Sequence, residues 1–174
     1  MTLPDAAKAA ALLFVVAILQ VSVFNSVTIF GGYPDVLLVT LIALSLLRGS
    51  LVGAIGGFFA GLVYDTATLE TLGFTSLLLL LAGYWTGRYG ETTGRDKTHA
   101  PLLAVAVITV LYTILSLVLR FLLGEGESAG QLLLHALPPE LLLNLLVTVP
   151  VYAFARWFVG ARRVARAQEV RLIE

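Results

Sequence analysis

The chain has 174 residues, of which 59% are hydrophobic and only 13% charged, and its mean hydropathy is +0.95. Soluble globular chains run nearer ~45–50% apolar and ~25% charged, so much of this surface must face something other than water, and an integral membrane protein is predicted. Eleven Lys and Arg balance eleven Asp and Glu, which argues against a nucleic-acid binder, and zero Cys removes disulfides, thiol catalysis and Cys-based metal sites.

The first apolar run, Ala6 to Phe30, is broken only by Lys8, Gln20, Ser22, Asn25, Ser26 and Thr28. It is long enough to cross a membrane, and no small-residue cleavage site follows it, so a retained span over about 6–28 is expected. Phe30-Gly31-Gly32-Tyr33-Pro34-Asp35 reads as a turn, in which the glycines permit positive φ and Pro34 stops one helix and opens the next. Further spans are expected at about 34–48, 50–65, 72–89, 101–123 and 132–159, followed by a basic cytoplasmic tail at 160–174. No segment outside these spans is large enough to bury a core of its own. The expectation is one polytopic domain over 1–174, an all-α bundle of six transmembrane helices.

Spans two and three are short. Roughly twelve to fifteen residues at ~1.5 Å each fall below the ~30 Å hydrocarbon core, so they tilt, extend, or form a re-entrant hairpin. A hairpin would place Arg48 at membrane depth, which is costly. Six spans with the N-terminus inside put Lys8, Arg48, Arg88, Arg95, Lys97, Arg156, Arg162, Arg163, Arg166 and Arg171 on the inner side. The outer segments carry Asp35, Asp65, Glu70, Glu125 and Glu127, with Arg120 the one basic residue near them. This is the positive-inside pattern, with both termini cytoplasmic.

The most ordered motif is Gly49, Gly53, Gly57 and Gly61, with Gly56 beside it and Gly83 and Gly87 echoing it on the fourth span. Such a stripe lets another backbone approach closely, either within the bundle or from a partner helix. Asp35 suits a helix N-terminus. Asp65, at the end of the third span, has the wrong sign for its own helix dipole, so a partner is expected, and Arg120 is the candidate. The two aspartates lie near helix ends rather than together, which argues against an aspartyl protease. Ser76 lacks a nucleophile-elbow context. His99 and His135 are too few for a metal site. Around the sixth span, His135, Pro138, Pro139, Glu140 and Asn144 form a polar, broken start, read either as an interfacial turn that bridges helices or as a docking or substrate surface. The tail from Arg156 and Trp157 to Arg166 mixes basic and apolar residues and suits anionic lipid headgroups.

Tyr33-Pro34-Asp35-Val36-Leu37-Leu38, Leu47-Arg48-Gly49 with Gly53, Gly57-Phe58-x-Ala60-Gly61-Leu62-x-Tyr64-Asp65, Leu72-Gly73-x-Thr75-Ser76 and Gly83-Tyr84-x-x-Gly87 together resemble the rod shape-determining protein MreD family. These motifs fill the first half of the chain; the second half agrees in length, span count and hydropathy. The resemblance implies a non-enzymatic subunit of the cell-elongation machinery in the bacterial cytoplasmic membrane, without a cofactor. It implies binding to the bitopic scaffold MreC, and coupling of MreB filaments to the peptidoglycan synthases RodA and a class B penicillin-binding protein. It also implies a fold similar to the S components of energy-coupling-factor transporters, which makes a solute-binding subunit the alternative. The family's Pro-Asp falls on Pro34 and Asp35, and its glycine motif on Gly57, Phe58, Gly61 and Asp65. With Gly53, these become the expected partner-binding residues, while Arg48, Arg120, Glu140 and Asn144 complete the polar set. The spans are Leu/Val-rich with few inward polar groups, which disfavours a water-soluble solute.

Overall fold

Hydrocarbon offers no partner for a backbone N–H or C=O, so a chain this apolar satisfies its backbone within helices. In a computed structural model, which describes residues 3–26, 32–93, 100–124 and 137–159, the described residues form six α-helices. They are α1 (Leu3–Ser22), α2 (Val36–Arg48), α3 (Ser50–Thr68), α4 (Phe74–Thr93), α5 (Ala100–Leu122) and α6 (Leu137–Val159), with a 3-10 turn at Phe24–Ser26 after α1. By length and composition α3, α5 and α6 are long and apolar enough to cross a membrane, and α2 is a shorter apolar helix. The 160–174 tail, the 94–99 loop with Arg95, Lys97 and His99, and residues 125–136 with Glu125, Glu127 and His135 lie outside the described residues.

α2 is the axis of the fold. Eleven of its thirteen residues, Leu37 to Leu47, are buried, and each of the other five helices packs against it. Leu38, Leu41 and Ile42 meet Leu12, Leu13 and Val16 of α1, Leu79 of α4, and Val105 and Ile108 of α5 in one continuous core. A helix enclosed on every side is apolar on every side, which is why residues 36–47 show no helical periodicity. Enclosure also accounts for its length. At ~1.5 Å per residue α2 is only ~20 Å long, but a helix surrounded by protein has no lipid thickness to match.

α3 and α4 form the tightest pair. Their bare faces meet in antiparallel register: a Cβ on Gly53 would fall on the Gly83 backbone, one on Gly57 on Leu79, one on Gly61 on Ser76, and one on Gly87 on Ser50. Each step of three or four residues up α3 is thus met by a step of three or four residues down α4. α3 does not stop at Asp65. It runs three residues further, with the Thr66 hydroxyl bonded to the Leu62 carbonyl and the Thr68 hydroxyl to Tyr64, and it ends at Leu69, where φ is +58°. Outside this core the helices present Phe14, Phe59, Trp85, Leu142, Leu146 and Trp157, an apolar exterior suited to lipid.

Gly61→Ala is expected to destabilise the protein by about 1–3 kcal/mol, because backbone cannot move aside for the new methyl. Gly56→Ala meets only the end of the Leu13 side chain, at 2.8 Å, and costs less than about 1 kcal/mol. Thermal unfolding of the two variants in mild detergent checks the order.

Candidate functional site

The first four N–H groups of a helix have no partner within it. At the start of α2 all four find one elsewhere. The Asp35 N–H donates to Asn144 Oδ1 of α6 at 2.8 Å. Those of Val36 and Leu37 donate to Gln20 Oε1 of α1 at 2.9 and 3.4 Å. The Leu38 N–H donates to Asp35 Oδ1 at 2.8 Å. Gln20 Nε2 then donates to the Pro34 carbonyl and to Asn25 Oδ1, and Asn144 Nδ2 to Thr109 Oγ1 of α5 at 3.3 Å. Pro34, Asp35 and Asn144 are therefore one cluster joining four helices. Gly32 serves it by close approach rather than by positive φ: a Cβ there would lie 2.9 Å from the Glu140 amide nitrogen.

Asp65 is fully buried and does not pair with Arg120. Its Oδ1 accepts from the Thr75 N–H at 3.1 Å, and its Oδ2 from the Ser76 hydroxyl at 3.2 Å, the Gly73 N–H at 2.9 Å and the Ser76 N–H at 3.4 Å. These are the amides at the start of α4, where Gly73 (φ +93°) precedes the helix without a capping side chain. The dipole that matters for Asp65 is that of α4, and its sign is favourable. At the other end of the hairpin Glu91 of α4 returns the contact, accepting from the Ser50 N–H at 2.8 Å and the Ser50 hydroxyl at 3.0 Å. Arg120 instead lies 4.0 Å from Glu70 and over the Phe74 ring, 5.1 Å from its centroid. Arg48 donates to the Val159 carbonyl at the last residue of α6, a favourable place for a cation.

Among the hollows that the described residues form, one polar and one apolar bear on this framework. At the Asp35 end, Gln20, Tyr33, Asp35, Tyr64, Glu70, Thr75, Tyr112, Ser116, Arg120 and Glu140 line a polar cavity of about 100 Å³. Between α1 and α3, Ala9, Ala10, Leu13, Gly56, Phe59 and Ala60 line an apolar groove of about 520 Å³. Phe58 is not part of its lining; its ring is edge-on to Phe59, which is, with centroids 5.6 Å apart. Gly53, Gly57 and Gly61 do not open into the groove. Their faces are filled by α4, which is the within-bundle alternative for the stripe. Sequence reasoning missed the roles of Gln20, Glu91 and Tyr112. Gln20 did leave a signal, as the polar residue deepest within the first apolar run.

A family model for the rod shape-determining protein MreD matches residues 8–161. This chain belongs to the MreD family. It is also similar to the cell shape-determining protein MreD of Streptococcus pneumoniae (strain ATCC BAA-255 / R6), at 29% identity over 104 residues, which is 59% of this chain and 63% of that relative. The match thus spans less than two thirds of the relative's length. No solved structure matches the chain, so a likeness to transporter S components gains no support from that side.

Asp65→Ala removes the caps of four donors and is expected to cost more stability than Asp65→Asn, which keeps one acceptor; losing a buried acceptor costs about 1–3 kcal/mol. Amide hydrogen exchange at Thr75 and Ser76 should accelerate in the same order. Asn144→Leu leaves the Asp35 N–H without its acceptor and should cost a similar amount, read as a lower melting temperature.

Proposed function

We propose that this MreD family member is a non-enzymatic subunit of the cell-elongation complex, seated in the bacterial cytoplasmic membrane with both termini inside. It binds the single transmembrane helix of an MreC-type scaffold and so helps couple MreB filaments to RodA and a class B penicillin-binding protein. Membership of a cell-shape family over most of the chain supports the role. The positive-inside distribution supports the orientation.

The observation that carries the docking step is the α1–α3 groove. Its lining is almost wholly apolar, and Ala9, Ala10, Gly56 and Ala60 keep it shallow enough for a helix backbone to come close. From Leu51 to Val63 it follows α3 for ~18 Å, which suits a helix lying alongside. Phe59, 61% exposed, and Phe14 supply rigid aromatic area along it. Gly53, Gly57, Gly61 and Asp65 then act at one remove: by locking α3 to α4 they fix the face that the partner meets. A subunit for a water-soluble solute would need a polar pocket of ~300–1,000 Å³, and the polar cavity holds about 100 Å³, so the scaffold reading is preferred.

The chain contains no Cys, so single cysteines can be placed without background. With a cysteine walked along the scaffold's transmembrane helix, Ile55→Cys and Phe59→Cys are expected to form disulfides with it, and Leu142→Cys and Leu146→Cys on α6 are not. Cross-links confined to α6 would overturn this docking face. Co-purification of paired ATPases and a coupling subunit in place of the scaffold would overturn the function.

A further inference from the structure

The polar cavity at the Asp35 end is unlike its surroundings. It is lined by three carboxylates, from Asp35, Glu70 and Glu140, and by one guanidinium, that of Arg120. Arg120 lies beside Glu70, which leaves Asp35 and Glu140 as the excess negative charge. Asp35 commits one oxygen to the Leu38 N–H. Among the described residues Glu140, Tyr33, Tyr112 and Ser116 make no hydrogen bond, and neither does the hydroxyl of Thr75, a residue only 4% exposed. Thr75 is buried, Tyr112, Ser116 and Glu140 are half-buried and Tyr33 is half exposed; a buried hydroxyl such as that of Thr75 carries a free-energy penalty unless something in the cavity satisfies it.

The donor and acceptor inventory narrows what that is. Carboxylates accept only, and hydroxyls accept as well as donate. A guest should therefore be cationic and rich in N–H. No three acidic or histidine side chains among the described residues are grouped to hold a metal ion, so the guest is an organic cation. Taking ~30 Å³ per water, about 100 Å³ holds roughly three waters or an ammonium on a stem of one or two carbons.

We propose that this cavity binds a primary ammonium group, with Asp35 and Glu140 as counter-ions and the hydroxyls of Tyr112, Ser116 and Thr75 as acceptors. The group belongs either to a free small amine or to an aminoethyl lipid headgroup. The site is separate from the α1–α3 groove, so failure of one proposal leaves the other standing.

The test uses the full chain in non-ionic detergent, and thermal unfolding is followed with ethanolamine, with tetramethylammonium, which has no N–H, and with sodium chloride. A saturable rise of about 3 °C or more with ethanolamine alone is expected. Glu140→Gln and Tyr112→Phe should weaken apparent affinity tenfold or more, and the conservative Tyr112→Phe guards against simple misfolding. In a second arm the chain is placed in nanodiscs of equal phosphatidylethanolamine and phosphatidylglycerol, and retained lipid is identified by native mass spectrometry. Retention of phosphatidylethanolamine that is lost in Glu140→Gln, without a response to free ethanolamine, assigns the lipid source. No amine response together with no lipid preference overturns the site, as does a response unchanged in both variants.

Discussion

A helix end buried among apolar residues has to find its hydrogen-bond partners inside the protein, because neither water nor lipid supplies them. This requirement accounts for five polar side chains among the described residues. Gln20 and Asn144 complete the start of α2, Asp65 the start of α4, Glu91 the start of α3, and Arg48 meets the last carbonyl of α6. In each case the side chain comes from a different helix than the end it serves. Capping is therefore a tertiary interaction here, one that fixes how the helices sit against each other as well as where they begin.

The same logic makes α3 and α4 a unit. Glycine faces bring the two backbones together, and the reciprocal caps of Asp65 and Glu91 pin the hairpin at both ends. Close backbone approach alone would leave the pair free to slide by one four-residue step, since the repeat is regular. The caps remove that freedom, because a slid α4 would carry the amides of Gly73, Thr75 and Ser76 away from Asp65. Packing brings the pair together, and hydrogen bonding sets its register.

What the sequence made legible follows from how local each signal is. Six helices, their approximate ends and the importance of the glycine stripe could be read from composition and spacing, since these depend on neighbours a few residues apart. The same spacing recurs at Gly83 and Gly87, but which helix fills the stripe was not legible, and the packing supplies it as α4. The partners of the polar residues were not legible. Asp35 and Asn144 are 109 positions apart, and nothing near either names the other. Asp65 was misread because the dipole argument was applied to the helix it ends rather than the one it faces, so an ion pair with Arg120 was expected where four donors of the following turn suffice. Arg120 had a nearer carboxylate in Glu70. The absence of periodicity in α2 was visible, but its meaning, enclosure by five other helices, emerges only from the packing.

Spending polar residues on helix ends leaves the cavity at the Asp35 end as the exception, since several groups there serve no helix end. Its placement is informative. Val63 lines the apolar groove and Tyr64, the next residue of α3, lines the polar cavity and bonds Asn25 at 2.9 Å. On α1, Leu13 lines the groove and Gln20, two turns further on, lines the cavity. The two hollows thus share the same two helices, and those helices are fixed to α2 and α4 by the caps. α3 is therefore common to the wall of both hollows, its residues 51–63 on the groove and Tyr64 on the cavity.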